Sequence, residues 1–87
     1  MTRLGAWARA QRLFGWRKGA LRTSASAQTR CQVGYMEFDP VLDSDGDGPS
    51  LFVMVGWGPT WEAAIAHARI QSKEWKEVGW WPDHLRR

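Results

Sequence analysis

An α+β fold is what the sequence predicts: an antiparallel β-hairpin or three-stranded sheet packed against one amphipathic C-terminal helix, preceded by a basic N-terminal helix. Three observations carry it. The runs "CQVGYMEF" (31–38) and "SLFVMVGW" (50–57) are rich in β-formers and flank a stretch of aspartate and glycine. Residues 60–78, "TWEAAIAHARIQSKEWKEV", place apolar side chains at helical spacing. Residues 3–18, "RLGAWARAQRLFGWRK", do the same more loosely among four arginines and a lysine.

In the first segment Leu4, Trp7, Ala8, Gln11 and Phe14 share a face, with Leu13 and Trp16 off it. Thr2 is placed to cap this helix. Gly5 and Gly15 weaken it, each by about 1 kcal/mol relative to alanine in a helix interior. Residues 19–30, "GALRTSASAQTR", are small and polar without periodicity and read as a linker running into the first strand.

Cys31, Val33 and Tyr35 then alternate with Gln32, Gly34, Met36 and Phe38, and Pro40 ends regular pairing. Leu51, Val53, Val55 and Trp57 line one side of the next strand, Phe52 and Met54 the other. Apolar groups on both sides suit a central strand or one covered by a partner. Two strands are too few for a stable sheet. A third comes from residues 22–30, from the C-terminal tail, or from the edge of another chain.

The C-terminal helix is the best encoded. Thr60 is a good N-cap, and Glu62 lies in the first turn, where the dipole favours an acid. Trp61, Ala64, Ile65, Ala68, Ser72 and Trp75 form the stripe, with Lys73, Lys76 and Glu77 away from it. Gly79 and Pro82 stop it. Trp80 and Trp81 follow, to close the open end of the sheet or to anchor a partner.

Eighty-seven residues make one small domain, read as a basic N-terminal arm and linker (1–30) joined to an α+β body (31–87). The arm holds seven bases and no acid. The body holds five bases and all nine acids, a net of minus four. Seven tryptophans are too many for so small an interior, which leaves some at an interface. The single cysteine, Cys31, excludes an internal disulfide and is compatible with the cytoplasm, the expected location. No apolar run approaches the roughly 20 residues of a membrane-spanning helix.

"DSDGDG" (43–48) matches the first half of a calcium loop: Asp43, Asp45, Asp47 and Gly48 occupy positions 1, 3, 5 and 6. Position 7 is Pro49, and position 12 is Met54, which offers no oxygen, so the stretch reads as a turn. No metal or cofactor is expected. Cys31 lies at a strand start without a base, and His67 and His84 lack ligand spacing. Glu62, Glu74 and Glu77 suit exposed pairs with Arg69, Lys73 and Lys76. "GWGP" carries a proline where a phosphate loop needs backbone donors. The protein is therefore expected not to be an enzyme.

The stretch from Val33 to Gln71 resembles the HicB-like antitoxin core. In that family a strand, an acidic turn and a second strand precede Gly-x-Thr-x-Glu-Glu-Ala at a helix start. Here the elements are "VGYMEF", "DSDGDG", "LFVMV" and "GPTWEAAIAHAR". Gly58, Thr60, Glu62 and Ala64 match, and Ala63 replaces one glutamate. The family's proline-rich link into a third strand, ahead of the Gly-x-Thr, and its appended DNA-binding module have no counterpart. The resemblance implies a non-catalytic, antitoxin-like inhibitor of the bacterial, phage or mobile-element kind, masking a partner's surface.

Two binding readings follow. One is a protein-binding module, dimeric through a strand edge or tryptophan surface, that meets a basic partner with Trp57, Trp80 and Trp81. The alternative is a nucleic-acid binder acting through Arg3, Arg9, Arg12, Arg17, Lys18 and Arg22 with Trp7 and Trp16. An acid-poor, arginine-rich N-terminus also fits a membrane-surface helix or an organelle transit peptide, the latter predicting a mature chain that starts near residue 20–30.

Overall fold

The structure is a computed structural model that describes residues 1–16, 18–38 and 50–85. Its elements are α1 (Arg3–Phe14), β1 (Gly19–Thr23), β2 (Cys31–Phe38), β3 (Ser50–Gly58), α2 (Trp61–Glu77) and a 3-10 turn at Asp83–Leu85. The strands form one antiparallel sheet in the order β1-β2-β3. Both helices pack on one face of it and touch each other. The α+β expectation holds. The third strand is Gly19–Thr23 and thus begins earlier than the 22–30 anticipated, and only residues 24–30 remain as a connection. Residues 39–49, including the aspartate-rich stretch, lie outside the described residues.

Both helix starts are capped as the sequence implies. Thr2 Oγ1 accepts from the Gly5 N–H at 3.0 Å, and Thr60 Oγ1 from the Ala63 N–H at 3.2 Å. The first helix stops at Phe14, four residues short of the expected Lys18. Gly15 adopts φ +104°, a conformation other residues rarely take, and turns the chain toward β1.

On α2 the predicted stripe is the buried one: Ala64, Ile65, Ala68 and Ser72 face inward with Trp61 and Trp75 half-buried. On α1 the inward face is rotated from the one predicted. Ala6, Ala10, Gln11 and Phe14 are buried, whereas Leu4 is 75 % exposed and Trp7 36 %. The cause is close approach. A Cβ at Gly19 would lie 2.5 Å from the Ala10 carbonyl, so helix and strand backbones touch there. Alanines permit that contact, and a bulky leucine or tryptophan on the same face would hold the helix away.

A similar contact seats α2. Val55 is the extra residue of a β-bulge, since Val33 pairs with Gly56 and Gly34 with Met54. A Cβ at Gly56 would fall 2.4 Å from the Ala68 nitrogen and 2.5 Å from the Ala64 carbonyl oxygen. The core between sheet and helices holds Val33, Tyr35, Val55, Ile65 and Phe14. Trp81 completes it, 5 % exposed, stacked on Phe14 at 5.7 Å and 15°. Its Nε1 donates to the Leu85 carbonyl at 3.3 Å, and the Lys76 ammonium lies 4.6 Å from its ring.

Candidate functional site

The rotation of α1 decides what the molecule shows to solvent. With Ala6 and Ala10 turned inward, Leu4 and Trp7 point out, joined by Trp16 (68 % exposed) just past the helix end. The Trp7 and Trp16 rings stand edge to face, 5.7 Å apart at 72°, a geometry favoured by the aromatic quadrupole. Trp7 is a wall common to two recesses. One of about 540 Å³ lies between α1 and β1, lined by Arg3, Leu4, Trp7, Gly19, Ala20 and Leu21. The other, of about 290 Å³, is lined by Trp7, Ala8, Gln11, Arg12 and Trp16.

Of the basic residues assigned from sequence, Arg3 lines the first recess with Trp7, and Arg12 lines the second with both indoles. Arg9 bends back, Nη1 donating to the Gly5 carbonyl at 3.3 Å. Lys18 is drawn elsewhere, its ammonium donating to the His84 carbonyl. Arg22 lies on the sheet face away from the helices. Its guanidinium sits 4.8 Å from the Phe52 ring centre, and its Nε donates to Gln32 Oε1 at 2.7 Å. Arg17 is outside the described residues. No acid occurs among residues 1–30, so nothing in the segment itself neutralises Arg3 and Arg12.

The residues assigned to protein binding do not converge. Trp81 is withdrawn into the core, where Phe14 and Leu85 hold it, so it offers no docking surface. Trp57 is 37 % exposed but occupied by α2: its backbone N–H donates to His67 Nδ1 at 3.2 Å, and the two rings meet at 4.1 Å. Trp80 alone is fully outward, at 73 %. His67, expected on the helix flank, thus ties α2 to β3. The signal missed was its spacing of ten residues from Trp57 across a tight strand–helix link.

Gln11 was legible only as part of an apolar stripe, and a glutamine there is itself the sign of a buried polar contact. Its Nε2 donates to the Gly19 carbonyl at 2.6 Å, which stops β1 from offering that carbonyl to solvent.

Elsewhere the chemistry is quiet. Burial raises the Cys31 thiol above its ordinary pKa; Arg30 opposes this and Glu62 adds to it. Burial, and then Glu37, raises the Tyr35 phenol. Glu62 is held below the usual carboxylate range, first by its bond from the Met1 amino group and then by its own backbone N–H. That ion pair joins the start of α1 to the first turn of α2. Among the described residues no three of His, Cys, Asp and Glu gather as a metal ion would need, and no helix is long and apolar enough to cross a membrane. No protein-family model matches the chain, and neither curated proteins nor solved structures match it.

Proposed function

We propose that the protein is a non-enzymatic binding protein that takes single-stranded nucleic acid on the outer face of α1. The observation that carries this reading is the Trp7–Trp16 pair with an arginine on either side, Arg3 and Arg12 lining the two recesses that share Trp7, and no acid in either lining. An indole accepts the π-face of any unpaired base, worth about 1–3 kcal/mol per base. The flanking guanidiniums neutralise phosphates and release counterions, so affinity falls as salt rises. The test is anisotropy of a labelled 12-nucleotide single strand across a salt series. Trp7→Ala and Trp16→Ala are expected to weaken binding, and Arg12→Gln to flatten the salt slope. No binding at low salt would end the reading.

The protein-binding reading keeps one observation of its own. The sheet face opposite the helices carries half-buried Met36, Phe52 and Met54, and among the described residues no helix or strand covers it. A second copy, or a target masked in the antitoxin-like manner, would seat there beside Trp57. Light scattering tests the first occupant: Met54→Lys should convert a dimer to a monomer, and a monomeric mass for the unaltered chain at micromolar concentration removes that occupant.

A further inference from the structure

Gln11, which lines the recess beside Trp7 and Trp16, carries a buried oxygen that no described residue pairs. Gln11 is 6 % exposed, and its amide nitrogen is committed to the Gly19 carbonyl at 2.6 Å. A carbonyl only accepts, so that bond fixes the amide's orientation: nitrogen to β1, oxygen the other way. Gln11 Oε1 is buried with no hydrogen-bond partner. An amide oxygen kept from water without a donor is costly. The same residue lines the 290 Å³ recess together with both indoles and Arg12.

We propose that this recess is a nucleobase-selective pocket in which Gln11 Oε1 accepts a hydrogen bond from an exocyclic amino group. The inference rests on the single-strand reading above and adds the choice of base. The recess is at the small end of ligand-sized clefts, about 300–1,000 Å³, and suits one ring rather than a large ligand. A base stacked on an indole places its edge toward Gln11 and its phosphate toward Arg12. Oε1 has no water-accessible surface, so the base reaches it once an indole rotates aside. Trp16, the more exposed of the two, has the least packing to lose.

The locked amide makes the pocket discriminate. Cytosine, like adenine, brings an amino group, which gives the buried oxygen its missing donor. Uracil and thymine bring a carbonyl at the equivalent position, setting lone pair against lone pair. Pairing a single buried acceptor, against leaving it unpaired, is worth roughly tenfold in affinity.

The experiment compares 12-nucleotide strands of deoxycytidine, deoxyuridine and thymidine at low salt, using the full chain and Gln11→Met. The unaltered protein should bind the cytidine strand about tenfold more tightly than the other two, and Gln11→Met should bind all three alike. Should Gln11→Met fail to fold, the Gln11 side-chain amide resonances of the unaltered protein decide. They should shift with the cytidine strand and stay put with the uridine strand. Equal binding of all three strands by the unaltered protein, still weakened by Trp16→Ala, overturns the base selection and leaves the nucleic-acid reading intact. Failure to bind any strand overturns both.

Discussion

A glycine, a cysteine and a tyrosine show how individual positions constrain this fold. A methyl group at Gly56 has nowhere to go, because the obstacles are the backbone nitrogen of Ala68 and the carbonyl oxygen of Ala64. Gly56→Ala should therefore cost at least the 1–3 kcal/mol typical of overpacking, read as a lower urea midpoint. Cys31 tests burial from the opposite direction. The residue is 6 % exposed, and its thiol pKa is raised chiefly by desolvation. Alkylation in the native state at pH 8 should be at least about tenfold slower than in denaturant, since both access and thiolate fraction fall. The same shift ties stability to alkaline pH. Folding favours the neutral thiol, so its contribution is whole below the ordinary value of 9.0 and is lost as pH rises through the higher native value. The Tyr35 phenol, also raised, acts in the same direction above 10.0. A pH series of melting temperatures that stays level into the alkaline range, beyond pH 10, would contradict both.

The elements differ in how openly the residues announce them. In α2 the large side chains and the small ones agree, because Trp61, Ile65 and Trp75 lie on the same arc as Ala64 and Ala68. One periodicity therefore described both burial and packing. In α1 they compete: Leu4 and Trp7 mark one arc, Ala6 and Ala10 another. The winner is set by Gly19 on a different element, which no local pattern reports. The strand β1 was hidden for a related reason, since "GALRT" has one large apolar residue and owes its pairing to β2. The two terminal tryptophans divide the same way. Neighbours in sequence, they have opposite surroundings, Trp81 on Phe14 and Trp80 in solvent. Trp81→Ala should lose about 3–5 kcal/mol of stability, whereas Trp80→Ala should stay within about 0.5 kcal/mol. Equal losses in a denaturation series would mean that Trp81 does not complete the core.

Taken as a single body, the protein has no detachable arm. Ala6, Ala10 and Phe14 are wholly buried, and β1 is one of three strands among the described residues. Removing residues 1–22 should abolish the cooperative thermal transition, not merely the binding surface. The same holds for a chain that starts between residues 20 and 30, as a cleaved transit peptide would leave. Binding tests must therefore rely on point changes at Trp7, Trp16 and Arg12, whose side chains contribute little to the interior. Of the candidate site, the sequence pattern made visible the residue types and their charge but not their arrangement. Four of the eight residues assigned to nucleic acid line the two recesses that share Trp7; the others are spent on Gly5, His84 and Gln32 or lie outside the described residues.

The stack of Phe14 on Trp81, and the Lys18–His84 bond spanning 66 positions, impose an order on biosynthesis. A ribosome working at about 5–20 residues per second needs roughly 3–13 s to travel from Phe14 to Trp81. Throughout that interval Phe14 can gain the Tyr35 ring but lacks the indole that closes its other contact, a gap beside basic side chains that invites chaperone capture before the last turn arrives.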